Sequence, residues 1–394
     1  MTVCPDESVV CGHNRKQNAF FTVLFSSYLG LSLIRFIWPH DLLTVALLGI
    51  GGFAFAVLSA RFPRRYVSGY VFVATLAVSV LVSSIAVERT GLRAYFPLGF
   101  VVCCAGIAMI LVQRRVYRWG PAIIFYALAT YFLFQMIAGV DAVNVLKTTS
   151  LNGISMVMLI ACASLYITVA SEGRDVPLLP ALLTLVISLW AVGRSGIFAS
   201  ALLLAGLVAV KLKAQKSYVL VLAMAAVVGY TIVSTWGFRV DATPFERATE
   251  NYLLRASYPE SRAVLWWNYY NNLDAFRVFF GVNVLEDPWP EGPVNEYNYH
   301  SSFIALHLQT GLMGLVTIGL LVLALIRSYR KNGVFFFVML SVLLRWSTDF
   351  GMFFNVFDFV PYFFIFHALA TWFPAPRVKL PSAKLGRPLS ATSA

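Results

Sequence analysis

Charge is what this sequence has least of. Aspartate, glutamate, lysine and arginine together make 12% of its 394 residues, while 59% are hydrophobic, and the mean hydropathy is +0.76. Too little polar surface is present to cover a soluble domain, so a soluble globular protein is excluded. Cysteine is also sparse: Cys103, Cys104 and Cys162 fall inside apolar stretches, and Cys4 and Cys11 precede the first of them. That distribution excludes a disulfide framework in the outer loops. Metal ligands are missing as well. Cys4, Cys11 and His13 have no fourth partner nearby, and His300 and His307 would stand about 10 Å apart along a helix, too far to share one ion. There is no repeat at a fixed period, and no small-residue cleavage site follows the first apolar stretch, which therefore reads as an uncleaved first helix. Neither a metal nor a cofactor is expected.

Long apolar runs are what the chain has instead. A helix needs roughly 17 to 25 such residues to cross about 30 Å of hydrocarbon. Twelve windows near that length can be drawn, at 19–38, 42–60, 66–87, 94–112, 121–139, 151–171, 178–192, 196–210, 217–236, 301–326, 334–354 and 356–373. The expected fold class is an all-α polytopic membrane protein of about 12 transmembrane helices. Short connections make consecutive helices antiparallel neighbours in a single domain over 1–373, and the Pro, Ser and Lys tail at 374–394 reads as disordered.

The net charge of +12 first resembles a nucleic-acid footprint, but the cations fall on alternate loops. Arg61, Arg64 and Arg65, then Arg114, Arg115 and Arg118, then Lys211, Lys213 and Lys216, then Arg327, Arg330 and Lys331, and finally the tail share the side of Arg15 and Lys16. The positive-inside rule places that side, and both termini, in the cytoplasm. The basic balance is topology, and no nucleic-acid partner is implied. By the same parity the long polar stretch 237–299, between the ninth and tenth windows, is outside. It carries nine carboxylates, five arginines and three tryptophans, and it is the natural place for chemistry on a polar substrate.

Within that loop, Leu265, Trp266, Tyr269, Tyr270, Leu273 and Phe276 recur at helical spacing, which predicts a stripe laid on the bundle or the membrane surface. The prolines of Asp287-Pro288-Trp289-Pro290-Glu291-Gly292-Pro293 exclude a helix there. His300 then stands at the membrane mouth, where it either takes a proton from an acceptor hydroxyl or merely hydrogen-bonds headgroups. Arg194, in Gly193-Arg194-Ser195-Gly196, falls at the short outer turn before a helix start, a setting suited to a diphosphate and equally to an anchoring arginine. Arg239, Arg247, Arg255, Arg262 and Arg277 share the loop with carboxylates, so some pair with these and are not ligands. Arg345 and Asp349, four apart and hence on one helix face, form either a structural ion pair or part of a substrate cavity. Arg35 is expected to snorkel. Trp266, Trp267 and Trp289 either stack on sugar rings or anchor at the interface.

The order of these blocks resembles the O-antigen ligase and polymerase superfamily: an Arg194-Ser195-Gly196 at the outer turn, Ser261-Arg262 followed by Trp266 and Phe280-Gly281-Val282, and His300-Ser301-Ser302-Phe303 leading into Gln309-Thr310-Gly311-Leu312-Met313-Gly314-Leu315. Departures occur at Gly193, Ser301 and Asn283, where serine, asparagine and glycine are usual in that family. The resemblance implies a metal-independent GT-C-type membrane glycosyltransferase on the periplasmic face of a bacterial inner membrane. It implies a glycan donor linked to undecaprenyl diphosphate, and an acceptor that is lipid A-core for a ligase or a carrier-linked repeat for a polymerase. Carried over residue by residue, it makes His300 the acceptor-activating group and Arg194 and Arg262 the diphosphate holders, with 237–300 as the catalytic loop. A single large outer loop favours the ligase. A lipid-linked glycan transporter, or a structural partner in an envelope complex, is the alternative of another class.

Overall fold

The computed structural model describes residues 10–60, 66–89, 95–146, 152–212, 266–267, 269–283, 301–349 and 353–372. Among these residues every regular element is helical. In chain order they are α1 (Val10–Ile37), α2 (Asp41–Ser59), α3 (Val67–Ala86), α4 (Phe96–Gln113), α5 (Trp119–Ile137), a 3₁₀ turn (Ala142–Asn144), α6 (Asn152–Ser171), α7 (Leu179–Trp190), α8 (Arg194–Lys211), α9 (Ala275–Phe280), α10 (Ser302–Thr310), α11 (Leu312–Lys331), α12 (Gly333–Ser347) and α13 (Phe359–Trp372). Seven of them, α1 to α6 and α11, are long and apolar enough to cross a membrane, while α7, α8, α12 and α13 are shorter apolar helices. The chain is a helical membrane protein. Its ninth window, 217–236, and most of the loop that follows lie outside the described residues.

Helices are the only open-ended way to satisfy backbone polar groups in hydrocarbon, and here their ends are closed chemically as well. Asn332 begins α12 by accepting from the amides of Val334 and Phe335 at 3.1 and 3.2 Å. Gly139 and Gly173, both at positive φ, end α5 and α6 in paired backbone bonds, Gly139 N to Met136 O with Val140 N to Gln135 O, and Gly173 N to Ala170 O with Arg174 N to Val169 O. This is the glycine-terminated Schellman motif. The end of α3 makes the same two bonds, Glu88 N to Ile85 O and Arg89 N to Ser84 O, but with Glu88 at φ 53 where glycine is preferred.

Contacts between helix ends fix the direction of the bundle. Tyr66 Oη donates to Val112 O at 3.3 Å, joining the start of α3 to the end of α4. The amide of Arg118 donates to Glu172 Oε1 at 3.0 Å, joining the start of α5 to the end of α6. Arg114, Arg118, Lys211 and Lys331 therefore gather at one end. The start of α6 lies at the opposite end, and there it meets the start of α8 and the end of α12. Helix α6 runs through the middle, with 94% of its apolar window buried. In lipid the hydrophobic effect does not press helices together, and close packing does so instead. Gly51 and Gly106 show how close: a Cβ on Gly106 would collide with the Gly51 carbonyl and lie 2.6 Å from Phe55 N.

Two windows that read as unbroken spans are broken. The tenth divides at Gly311 into α10 and α11. Gly311 sits at φ 53, and a Cβ there would strike the Phe279 carbonyl, so apolarity continues through the break while backbone geometry does not. In the eleventh, 334–354, the helix ends at Ser347, and α13 begins only at Phe359. Between them, Phe353 and Phe354 take φ 65 and 63. The fully buried Asp358 accepts from the amides of Phe353 at 2.6 Å and Asn355 at 3.0 Å. Tyr28, in the middle of α1, donates to Val356 O at 2.8 Å, and Cys104, in the middle of α4, donates to Asn355 O at 3.2 Å. This turn is therefore sunk halfway into the bundle, where its polar backbone finds partners in protein and never meets lipid.

Candidate substrate site at one end of the bundle

The described parts of the three quoted sequence blocks lie at the end opposite the basic residues. Helix α8 starts at Arg194 with Gly193 as its N-cap, so the Arg194 backbone occupies the first turn, where helix amides are unsatisfied. The preceding turn is tight through Val192, which takes φ 53, and not through either flanking glycine. Those glycines serve proximity instead. A Cβ on Gly193 would lie 3.0 Å from Asn152 Oδ1, and one on Gly196 would collide with the Ser155 side chain, so α8 abuts the first turn of α6. A β-branched residue in the left-handed region costs about 1–2 kcal/mol, a strain of the kind that collects at working sites.

Asn152 links this corner to α12. Its carbonyl accepts from Arg345 Nη2 at 2.9 Å, and the same nitrogen reaches Asp349 Oδ2 at 3.0 Å. Arg345 is fully buried, and the ion pair that the spacing of Arg345 and Asp349 allowed is made. The Asp349 backbone carbonyl then accepts from Ser302 Oγ at 2.8 Å. Ser302 follows His300-Ser301 directly. Through Asn152, Arg345 and Asp349 the starts of α8 and α10 are thus connected at one end of the bundle.

Helix α10 lies across that end. Ser302 is bound beside Asp349, just beyond α12, while the carbonyls of Leu308 and Gln309 accept from Arg89, just beyond α3. Nine residues span about 13 Å, and both ends of the helix meet the same end of the bundle. On a single vertical helix His307 would lie about 10 Å deeper than His300. In the structure the helix that carries His307, Ser302–Thr310, runs sideways, while His300 lies outside the described residues.

His307 is almost buried and works as a clasp. Its Nε2 bonds to the Val278 carbonyl at 3.1 Å, and since a carbonyl only accepts, that nitrogen carries the proton. Nδ1 is then the acceptor for the Tyr269 hydroxyl. Burial holds the imidazole below its usual pKa, with the Val278 carbonyl opposing, and the ring is neutral at pH 7. Around it Tyr269, Val282, Ile304 and Leu308 form a small core with Trp266 and Leu273 packed on it. The expected stripe is half realised. Of its residues Trp266, Tyr269 and Leu273 turn inward, Tyr270 and Phe276 are exposed, and Leu265 lies outside the described residues; past Leu273 the helix stops, and Asp274 caps a new one by accepting from the Arg277 amide at 2.7 Å.

Of the residues expected to act, His300 and Arg262 lie outside the described residues, and Arg194 is described in its backbone only. Trp289 also lies outside them. Arg35 donates to Thr44 Oγ1 at 2.6 Å. Sequence reasoning passed over Arg89, whose Nη2 donates to Val282 O at 3.0 Å and to Leu308 O, and whose Nη1 donates to Gln309 O at 3.4 Å. Burial lowers its pKa to about 10, with the nearby Tyr269 opposing, so it is cationic at neutral pH. It also missed Asp358. Among the described residues no group of His, Cys, Asp and Glu is placed to hold a metal ion.

The fold defines a polytopic helical membrane protein. No protein-family model, curated protein or solved structure matches the chain.

Proposed function

We propose that the protein is a membrane glycosyltransferase of the O-antigen ligase type, facing the periplasm from a bacterial inner membrane. It moves a glycan from an undecaprenyl diphosphate carrier to lipid A-core. One observation supports this most: the start of α8, where Arg194 stands, and the start of α10, which His300 immediately precedes, are linked through Asn152, Arg345 and Asp349. The two helix starts nearest in sequence to the residues that the reading assigns to one reaction thereby share one end of the bundle.

The chemistry needs two things. A diphosphate leaves readily once its growing charge is met, and Arg194 with Arg262 supplies guanidiniums for that in a site partly shielded from water. A sugar hydroxyl is a poor nucleophile, and His300 supplies a base within reach. The step is a direct displacement at the anomeric carbon with inversion. The acceptor oxygen forms the new bond as the carbon–oxygen bond to the diphosphate breaks, and the hydroxyl proton passes to His300.

The test is His300→Ala in a strain lacking the native gene, with surface glycan resolved on a silver-stained gel and protein level checked. Loss of all polymer on core is expected. Core bearing one repeat identifies a polymerase joining carrier-linked repeats. An unchanged ladder overturns the transferase mechanism and leaves His300 as an interfacial anchor.

A further inference from the structure

We infer that Arg89 is a positioning residue for the candidate site, setting the orientation of α10 and through it the place of His300. The role assigned to His300 rests on the proposed function; the mechanical part does not. Arg89 reaches two segments that sequence keeps apart. One is the chain leaving α9, through the Val282 carbonyl, and the other is the last turn of α10, through the carbonyls of Leu308 and Gln309. A helix leaves its last carbonyls unsatisfied, and a cation at that end also meets the negative pole of the helix dipole. A single guanidinium thus closes the carboxyl end of α10 and ties it to α9.

Three further features make the closure specific. The Val282 amide donates to Leu308 O at 3.2 Å, so the carbonyl that Arg89 binds also holds the neighbouring segment. Gly281 sits at φ 83, where a Cβ would collide with Leu308 O, so the two backbones touch with no side chain between them. Ser83 Oγ, on the last turn of α3, donates to the Phe280 carbonyl. Helix α3 therefore grips both segments from below, and its terminal turn delivers Arg89. Because α10 is short and is held at its other end by Ser302 and Asp349, freeing the Arg89 end lets the helix turn about Ser302, which changes the direction in which the chain enters it at Ser301. A point ammonium cannot reach three carbonyls in fixed directions as a planar fork does, so lysine is expected to substitute only in part.

The experiment compares the full-length wild type with Arg89→Ala and Arg89→Lys in lipid nanodiscs. It combines hydrogen exchange of the peptides covering 275–283 and 301–310 with thermal stability and with transfer kinetics on an undecaprenyl diphosphate-linked glycan. In Arg89→Ala both peptides are expected to exchange at least about tenfold faster while α6 and α12 keep wild-type protection. The kcat is expected to fall about 100-fold, the loss typical of a misplaced catalytic group, with donor KM within twofold and the acidic limb of the pH profile unmoved. Arg89→Lys should lie between. Wild-type exchange in both peptides of Arg89→Ala would overturn the inference, and so would a rise in donor KM with kcat intact, which marks Arg89 as a diphosphate ligand. Faster exchange in a protein whose wild type transfers no glycan would sustain the mechanical role and remove the transferase reading.

Discussion

Two pieces of non-helical backbone sit in or against this bundle, and they are satisfied by side chains of opposite kind, an acceptor in one and a donor in the other. In the turn at 353–358 the Asp358 carboxylate collects amides from its own loop, while helices α1 and α4 supply donors to the carbonyls. At the α9–α10 junction the Arg89 guanidinium collects carbonyls from two segments, and the histidine clasp adds a second tie. The first is sealed inside the core, with Asp358 fully buried. The second lies at the bundle end, half-buried, at the carboxyl end of α10. A buried turn whose partners are all internal is structural. One at the rim, held by a few replaceable contacts, is placed to orient a site, and local stability is expected to differ accordingly.

The comparison breaks most visibly at Asp358. Removing the carboxylate in Asp358→Ala strands two buried amides, each costing about 1–3 kcal/mol. A loss of about 3 kcal/mol is expected in thermal unfolding of the purified protein, with Asp358→Asn losing about half of that because one acceptor remains. Equal stability in Asp358→Ala and wild type would mean that the turn is not carried by this carboxylate. Next comes Gly311→Ala, measured beside Gly173→Ala. Both glycines have positive φ, but only at Gly311 would the new Cβ strike a carbonyl, and at Gly173 nothing lies within 4 Å. The strain of about 1 kcal/mol that any alanine meets at such a φ should be all that Gly173→Ala shows. Gly311→Ala should exceed it and should open the α9–α10 junction in hydrogen exchange.

A smaller effect tests the clasp through pH. The pKa of His307 is lowered from 6.5 in the folded protein, so the unfolded chain binds the proton first. The clasp's contribution is therefore complete above pH 6.5 and falls as pH drops below that, levelling once the folded imidazole is also protonated. Exchange in the 301–310 peptide should accelerate, relative to the intrinsic rate, between pH 6.5 and 5. Tyr269→Phe, which removes the hydroxyl bound to Nδ1, should cost about 1 kcal/mol at pH 7. A junction indifferent to pH in this range would assign its stability to Arg89 alone. The smallest expected change is a gain. Glu88→Gly relieves the only one of the three Schellman ends described here that is made without glycine, and a rise of about 0.5–1 kcal/mol follows because Glu88 is exposed and gives up no packing.

Much of the membrane architecture was legible from apolar windows, because the thickness of hydrocarbon dictates run length and little else in the sequence competes with it. The two breaks were not. Gly311 lies in a run as apolar as its neighbours, and at 353–358 only Asn355 and Asp358 interrupt one. Gly311 was visible as a motif glycine, though its contact with Phe279 was not. Asp358 stood in the last window as a lone acidic residue among phenylalanines, and intramembrane charge was the signal that could have marked it. The pairing of Arg345 with Asp349 followed from their spacing, whereas their link to Asn152 and Ser302 is a property of tertiary packing. Arg89 escaped notice because a single arginine after an apolar window reads as an interfacial anchor, and its carbonyl partners lie about 200 residues away, at Val282, Leu308 and Gln309.

The central claim is that the end of the bundle where α8 and α10 begin is a transferase site, and the most direct measurement is transfer by purified protein. Wild type, His300→Ala, Arg194→Lys and Arg262→Lys would be given an undecaprenyl diphosphate-linked glycan and lipid A-core in nanodiscs containing a chelator, with release of the carrier diphosphate followed over time. The account predicts release by wild type, none by His300→Ala, and at least about a tenfold loss in each lysine variant, since an ammonium does not reproduce bidentate contact with a diphosphate. Release by His300→Ala at the wild-type rate, or full activity in both lysine variants, would contradict it.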